Sequence, residues 1–427
     1  MTPNANPAHL QDQAHRLLGH PSDLRGHVDA HGPLNVALGR NNSWQHGLLS
    51  SLEASGLTGR GGGAFPTSVK LALARSAGSG GTIVVNGMEG EPASDKDKLL
   101  LTRAPHLVLD GAQYLAGLCR ADQVVICTPV GRDGVATAVS HALAERRRHR
   151  YAKVKEEMVR PPDRFIAGEE SALANWIDSG RSLPVFRPDK GTSLRLGRRA
   201  ALVQNTETLA HVALIARHGP RAFKERGMTE EPGTCLVTIS GSVSRPGVVE
   251  VDRGTPLSVI AKLSRPIEPA QALLVGGYGG TWVGPEHFHT PYASISLRTV
   301  GATAGVGVIV VLGQATCGLA ETARIARYLA DQSAGQCGPC VHGLPAIADD
   351  LARMARGQVG HGDLPRLHRR LREVNGRGGC RHPDGAVSLV RSALSVFATD
   401  VAAHGRGESC PYWRKPTALR FPRPIGL

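Results

Sequence analysis

The sequence predicts an α/β fold, with a strand-rich stretch and then a helical part after it, and three observations carry that expectation. Between residues 67 and 225, short apolar runs ending in glycine and polar residues alternate with amphipathic segments, the order that builds a largely parallel sheet covered by helices. Between residues 226 and 315 the strands shorten and turn residues come more often. From Leu319 onward apolar residues recur at three- and four-residue steps, so each segment carries one stripe to bury.

Taken in chain order, residues 1–66 are rich in Pro, His, Asn and Gly, with one short helical pattern at 48–52, and read as an arm with little core of its own. Ile83-Val84-Val85 marks a buried strand over 82–86; a helix follows at 107–118, a strand at 124–127, a helix at 135–143 and a strand at 165–167. Cys235-Leu236-Val237-Thr238-Ile239-Ser240-Gly241, the turn Arg245-Pro246-Gly247, residues 248–251 and Thr255-Pro256-Leu257 form a hairpin followed by a short helix. Gly276-Gly277-Tyr278-Gly279-Gly280 ends a strand, as a plain turn or as a close approach to a ligand. In the helical part Leu344, Ile347, Leu351 and Met354 line one stripe, and Ala386, Leu389, Val390, Ala393, Leu394, Phe397 and Val401 another. Short antiparallel helices with cysteine-bearing loops predict a bundle, and the Pro- and Arg-rich residues 406–427 read as an extended tail.

A chain of 427 residues with 41% hydrophobic content is long enough for several cores. No apolar run approaches the ~20 residues that span a bilayer, and the amino terminus has no charged start followed by an apolar stretch, so a cytoplasmic protein is expected. Its 8 cysteines, three of them clustered, favour metal or cluster ligation over a disulfide framework. The net charge of +14 would attract anionic partners. Yet the basic residues are scattered, in Arg146-Arg147-Arg148-His149-Arg150, at Arg195, Arg198 and Arg199, and at Arg366, Arg369, Arg370 and Arg372, and only 4% of residues are aromatic. Base stacking needs basic and aromatic residues interleaved. The charge therefore reads as solvated helix faces plus a docking surface for an acidic protein such as a ferredoxin, and no nucleic-acid partner is expected.

Gly59-Arg60-Gly61-Gly62-Gly63-Ala64-Phe65-Pro66-Thr67, followed by Lys70, sets bare backbone beside a cation. Glycine lets N–H groups press against phosphate oxygens, and lysine adds fixed charge. The segment has neither the Gly-Lys-Ser/Thr ending of a Walker loop nor G-x-G-x-x-G spacing, and a flexible turn is its plain alternative. Polar clusters follow. Asn86-Gly87-Met88-Glu89-Gly90-Glu91-Pro92 comes directly after an apolar run, Phe165-Ile166-Ala167-Gly168-Glu169-Glu170-Ser171-Ala172 reads as a strand-to-helix junction, and Gln204-Asn205-Thr206-Glu207-Thr208-Leu209 adds amides and hydroxyls. Ligands of open α/β sheets lie beyond the carboxyl ends of the strands. This mixture supplies donors for phosphate and ring oxygens and acceptors for ribose hydroxyls, as a flavin or nucleotide requires. Glu169 or Glu170 has a second reading, as an acid in the first turn of a helix.

Ser333-Ala334-Gly335-Gln336-Cys337-Gly338-Pro339-Cys340 holds a C-x-x-C pair, and Cys380 follows in Gly376-Arg377-Gly378-Gly379-Cys380. Two thiolates so spaced can share one metal centre, and the glycines leave room for cluster sulfides. A zinc reading completed by His342 or His382 stays open beside the iron–sulfur one. Cys119, Cys127 and Cys235 lie among apolar residues and read as buried small hydrophobes.

Together, from about residue 45 to about residue 405 and in the same order, these motifs resemble the NADH-binding flavoprotein of respiratory complex I, the NADH-quinone oxidoreductase F-subunit family, and its relatives in soluble hydrogenases and formate dehydrogenases. The resemblance implies a Rossmann-like FMN-binding α/β domain at 67–225 after an arm at 1–66 that carries the glycine-rich loop. It further implies a β-grasp, soluble-ligand-binding module at 226–315, an iron–sulfur helical bundle at 316–405 and a tail at 406–427. FMN would lie among Gly59, Arg60, Gly61, Gly62, Lys70, Asn86, Glu89, Gly168, Glu169, Glu170, Gln204, Asn205 and Thr208, with Lys70 at its phosphate. Phe65 would stack on a ring, and Glu91 and Glu170 would stand as the catalytic pair beside NADH. A 4Fe-4S cluster would sit on Cys337, Cys340 and Cys380. By the same resemblance, hydride passes from nicotinamide to flavin, and electrons leave singly through the cluster to a ferredoxin-like partner or larger complex. The location so implied is cytoplasmic, or peripheral to a membrane complex.

The chain departs from the family pattern at several positions. Ala334 stands where the family has a fourth cysteine, so the last iron would take His, water or another cysteine, with Cys317 and Cys410 as candidates; a three-iron cluster and no cluster are the other outcomes, and a retained cluster is expected. Met88 replaces an acid, and Leu73 and Lys190 replace aromatic residues that grip the nucleotide, a loss of ~1 kcal/mol each in stacking. Gly63-Ala64 reverses the family's small residues. Arg187 and Lys190 offer charge to a 2′-phosphate, which keeps NADPH beside NADH as donor. The function expected is an FMN and iron–sulfur oxidoreductase subunit that oxidises NAD(P)H; the alternative is a non-enzymatic electron-relay or assembly subunit that keeps the fold without binding nicotinamide nucleotide.

Overall fold

The computed structural model describes residues 16–19, 21–38, 42–78, 80–186, 194–408 and 410–422; Arg187 and Lys190 lie outside them. The chain is a mixed α/β protein that divides into two compact units. One comprises the chain up to Gly90, Asp95–Leu236 and Glu250–Gly254, and the other Glu91–Ser94, Val237–Val249 and the chain from Thr255.

In the first unit, strands β1 (Thr82–Asn86), β2 (Gln123–Cys127), β3 (Lys155–Val159), β4 (Leu194–Leu196) and β5 (Arg199–Asn205) form one sheet in the order β3-β2-β1-β5-β4. β1, β2, β3 and β5 run parallel, and β4 is antiparallel to β5. β1 is central, with Ile83, Val84 and Val85 fully buried, which is why its sequence is a continuous apolar run rather than an alternation. The expected helix at 107–118 is Pro105–Cys119, buried on every side, and it ends where Arg120 turns left-handed at φ 52°. The one at 135–143 is Asp133–Arg148.

The strand expected at 165–167 is not one. Phe165–Gly168 makes a single 3-10 turn, and the outer parallel strand is β3 instead. Among the described residues β3 pairs with β2 alone, from Gln123↔Lys155 to Cys127↔Val159. An edge strand tolerates the charges of Lys155, Glu156 and Glu157, which hid it from a search for apolar runs.

The helical pattern at 48–52 belongs to a longer helix, Asn42–Ser55, which packs on the helices Pro105–Cys119 and Thr206–Lys224. Gln45 Nε2 donates to Gly117 O at 3.1 Å, and Trp44 stacks on Tyr114. Beneath lies a buried charge network. Asp110, wholly enclosed, accepts from Arg146 Nη1 at 2.6 Å, His27 Nε2 at 2.9 Å, Tyr151 at 3.2 Å and also Arg217. Burial alone would raise its carboxyl, but Arg146, His27 and Arg217 outweigh burial and hold it below the usual carboxylate range.

A second five-stranded sheet contains β6 (Thr234–Gly241), β7 (Gly247–Asp252), β8 (Ala270–Val275), β9 (Thr281–Val283) and β10 (Val308–Gly313) in the order β7-β6-β10-β8-β9, β10 running parallel to β6 and antiparallel to β8. The short helix expected after the hairpin is Leu257–Leu263. Gly277 after β8 is a close approach and not a loose turn: its φ is 99°, and a Cβ there would stand 2.6 Å from Glu91 Oε2. Helices Gly318–Asp331, Leu344–Ala355, Asp363–Val374, His382–Val396 and Ala398–Gly405 follow, and both predicted stripes, from Leu344 to Met354 and from Ala386 to Val401, are buried. Among the described residues no single helix is long and apolar enough to cross a membrane.

Candidate functional site

β1 and β5 lie side by side and parallel, with Asn86 opposite Asn205 at their carboxyl ends. From this point β2 and β3 extend the sheet one way and β5 and β4 the other. The strand order therefore turns around between β1 and β5, which opens a crevice for ligands beyond the strand ends.

The glycine-rich loop is fastened here. Gly59 N donates to Phe65 O, and Arg60 N to Thr208 Oγ1, both at 2.9 Å. Gly61 lies so close to β5 that a Cβ would stand 3.2 Å from Asn205 Cβ, whereas a Cβ on Gly63 would meet no protein atom within 4 Å. The reversed Gly63-Ala64 pair has a consequence, because Ala64 and not Gly63 takes a left-handed φ, of 46°. Phe65 is half exposed beside it. Arg60's side chain is turned inward, with Nη2 donating to Thr234 O at 3.2 Å and Nη1 to Thr58 Oγ1 at 3.3 Å. Its guanidinium and its own N–H are thus both engaged within the protein.

Lys70 extends from the helix Thr67–Ser76, donates to Val203 O of β5 at 2.7 Å and pairs with the Glu170 carboxylate. Asn86 donates to Gly168 O at 2.9 Å and accepts from Met88 N at 3.3 Å, which pins the 3-10 turn over the end of β1. Gln204 is buried, and among the described residues its Nε2 has no hydrogen-bond partner. Asn205 caps the helix Thr206–Lys224 through Glu207 N at 3.0 Å and donates to Asp97 Oδ2 at 2.8 Å.

The acids divide by role. Glu169 caps the helix Glu170–Ser179, accepting from Ser171 N and Ala172 N at 2.9 Å each, so the helix-start reading applies to it. Glu89, left-handed at φ 41°, accepts from Asp97 N and Lys98 N at 2.9 Å each and so caps the helix Lys96–Arg103. Glu170 is the acid that reaches the surface, its side chain 45% exposed. Glu91 falls in the second unit, where it accepts from Ala93 N at 3.1 Å and Tyr278 N at 2.8 Å. Met88 packs in the core with Val84, Val125, Cys127, Ala167, Leu173 and Val203. An acid facing that way would be desolvated, so the apolar residue suits the position.

Sequence reasoning missed what holds this arrangement up. Lys96, fully buried, lies 2.9 Å from Asp97 Oδ1 and 3.0 Å from Glu207 Oε2, and donates to Asn205 Oδ1 at 3.2 Å. Burial would lower its pKa, but the two carboxylates outweigh burial and raise it. Only the alternation in Ser94-Asp95-Lys96-Asp97 hinted at this in the sequence.

Cys337, Cys340 and Cys380 come together around a single π-helical turn, Pro339–Gly343, a distortion common at functional sites. Burial pushes the Cys337 thiol up, but N–H groups of Gly379 and Cys340 outweigh burial and bring it below its ordinary value. Burial and the neighbouring Cys337 push Cys340 up to about 11. These glycine-flanked thiols, with N–H donors aimed at sulfur, suit a cluster. Of the two histidines of the zinc reading, His342 is exposed and His382 Nε2 bonds Leu329 O at 2.7 Å. Cys317 and Cys410, the candidates for the place left by Ala334, are instead grouped with each other and with His404. Cys119, Cys127 and Cys235 are buried as expected, although Cys235 also lies beside Arg253 and Arg60.

The residues at the β1–β5 crevice fit a flavin nucleotide: a lysine and exposed glycine backbone for a phosphate, open space at Gly63, and an unpartnered amide at Gln204 for a polar ring. Residues 52–214 match the family described as the Nuo51 FMN-binding domain, and residues 315–404 the NADH-ubiquinone oxidoreductase-F iron-sulfur binding region. The chain is 27% identical over 382 residues to an NADH-quinone oxidoreductase F subunit of Rhizobium meliloti (strain 1021), the one numbered 2, covering 86% of this chain and 90% of that one. It is 28% identical to the corresponding NADH-quinone oxidoreductase F subunit of Streptomyces coelicolor over 86% of this chain and 84% of that one. The fold is similar to a chain of an NAD+-reducing NiFe hydrogenase crystallised in the air-oxidized state, with a TM-score of 0.78 and 29% identity over 84% of this chain. It spans 63% of that hydrogenase chain.

Proposed function

We propose, on the premise that this chain belongs to the NADH-quinone oxidoreductase F-subunit family as a divergent member, that it is an FMN-binding, NADH-oxidising subunit that hands electrons on through an iron–sulfur cluster. The observation that carries this reading is the convergence of Lys70, Asn86, Glu170, Gln204 and the glycine loop at the carboxyl ends of β1 and β5. FMN, when bound, supplies a two-electron hydride acceptor that releases electrons one at a time. The protein's share is to hold and orient it. Lys70 and the amides of Gly61–Gly63 take the phosphate, the Gln204 amide meets a ring oxygen or nitrogen, and the half-exposed Phe65 offers a face for stacking. Glu170, paired with Lys70 until phosphate competes for that cation, would then be free to turn its carboxylate to the nicotinamide nucleotide.

Cys337, Cys340 and Cys380 would hold the cluster, with no fourth donor from Ala334, and Cys317 and Cys410 are grouped with His404 instead. The region at 226–315 acts as a β-grasp module and that at 316–405 as the cluster-bearing bundle, after the arm at 1–66 and the flavin domain at 67–225 and before the tail at 406–427. The reading is supported by the match of residues 315–404 to the iron–sulfur family. The electron acceptor is a redox subunit or a ferredoxin-like protein, drawn by the net positive charge.

The test is anaerobic purification followed by visible spectra before and after NADH. Bleaching of the flavin bands within the mixing time is expected, with iron and sulfide present in cluster proportion. A flavin-loaded protein whose spectrum NADH leaves unchanged refutes NADH oxidation.

A further inference from the structure

We propose that Cys317, His404 and Cys410 form a zinc site, separate from the cluster cysteines, that pins the carboxyl-terminal segment to the start of the helix Gly318–Asp331. Their ligand atoms lie within 4.8 Å of one another, and Cys317 and His404 are almost completely buried. Two sulfurs and an imidazole nitrogen converging on one point are a soft donor set, which selects Zn2+ over hard cations.

Each ligand is held as a metal requires. Cys317 is the cap of its helix, and Ala320 N donates to its sulfur at 3.4 Å, which fixes where the sulfur stands. His404 Nδ1 lies 3.1 Å from Met354 O. A carbonyl only accepts, so Nδ1 carries the proton and Nε2 keeps its lone pair. That Nε2 lies 3.9 Å from Cys317 Sγ and, without metal, accepts from Cys410 N at 3.2 Å, a bond that zinc would replace. A carbonyl that fixes the tautomer and ring orientation is the usual second support of a zinc-bound histidine. A fourth ligand would enter from the side of Cys410, which is only partly buried.

The consequence concerns the tail. Downstream of Cys410, Thr417 donates to Glu321 Oε2 at 2.5 Å, Arg324 Nη2 to Lys415 O at 3.0 Å and Tyr278 OH to Arg420 O at 2.5 Å. Without metal the segment is held by a few polar contacts and by the packing of Phe421 against Tyr278 and Tyr328. Zinc would close it covalently at its root, joining residues far apart in the chain.

The full chain, purified anaerobically under reducing conditions and incubated with zinc sulfate, is desalted and its metals counted by mass spectrometry. One zinc per chain is expected beyond the iron, falling below a tenth in Cys317→Ser and in Cys410→Ser while flavin and iron stay at the wild-type level. Cobalt in place of zinc is expected to give a thiolate charge-transfer band that Cys410→Ser weakens. Stripping zinc with a chelator should speed proteolysis after residue 405 at least tenfold. If Cys317→Ser fails to fold, Cys410→Ser, at the partly buried root of the tail, carries the same count. A wild-type chain that retains no zinc, zinc unchanged in the double cysteine variant, or a Cys317–Cys410 disulfide under the reducing conditions overturns the proposal.

Discussion

Lys70 and Glu170 face each other at the carboxyl end of the first sheet, the lysine 22% and the glutamate 45% exposed in their side chains, while Lys70 also holds the Val203 carbonyl at 2.7 Å. The pair keeps a cation in place at the mouth of the crevice, and a phosphate can take it over by displacing one exposed carboxylate. Replacing Lys70 by Glu sets two acids together and removes the cation. FMN affinity should fall by about 2 kcal/mol, roughly thirtyfold in Kd, as read by titration of flavin fluorescence, and Lys70→Arg should recover most of it. Unchanged affinity in Lys70→Glu would move the phosphate elsewhere.

The buried Lys96 holds Asp97 and Glu207 together under the Asn205 cap. Lys96→Met removes the cation that lies between two enclosed carboxylates, and the expected loss is ~3–5 kcal/mol of folding stability. A urea melt measures it. Adding Glu207→Gln should return part of that loss, because one enclosed carboxylate then lacks the lysine instead of two.

Position 88 tests whether an acid can be accommodated between Asn86 and Pro92. Met88 is 1% exposed and packed among apolar side chains. Met88→Glu should cost ~3 kcal/mol or more and should not tighten NADH binding, both measurable on the purified variant. A stable variant with improved KM would show that this side chain faces the nucleotide.

Acid should weaken the first unit through its histidines. Burial and the nearby Arg146 push His106 down from its ordinary 6.5 to about 4, and burial with Arg60 lowers His211 as well. His106 faces Glu145 at 3.0 Å and, beyond it, Arg146 and His27. A histidine with a depressed folded pKa binds fewer protons folded than unfolded, so stability is complete above pH 6.5 and falls as the pH drops toward 4. For His106 the loss is on the order of 3 kcal/mol. Urea melts across that window should show the slope, and His106→Gln should flatten it. A flat profile in the wild type would contradict the neutral, enclosed histidine.

The sequence revealed most where a residue's surroundings follow from its neighbours in the chain. The apolar runs of β1, β2 and β10 are buried strands because a central strand has no solvent face, and the stripes from Leu344 and Ala386 are buried because helical spacing leaves one side apolar. Asn86 and Asn205 stand opposite each other at the strand ends, and Lys70 reaches the Val203 carbonyl of the same β5 strand. What stayed hidden depends on partners distant in the sequence. β3 looks like a charged loop until β2 pairs with it. Glu89 and Glu169 look like ligand acids until the amides of helix starts take their oxygens.

By itself the sequence determined the alternation of strands and helices, the glycine loop with its lysine, and the three cysteines with their glycines, since each is a local pattern of size, polarity and backbone freedom. Only the tertiary structure decided which acids remain open to a ligand, that Lys96 is enclosed, and that Cys317 and Cys410 meet His404. Those outcomes are set by which distant groups the fold presses together and shields from water, and no spacing along the chain encodes that.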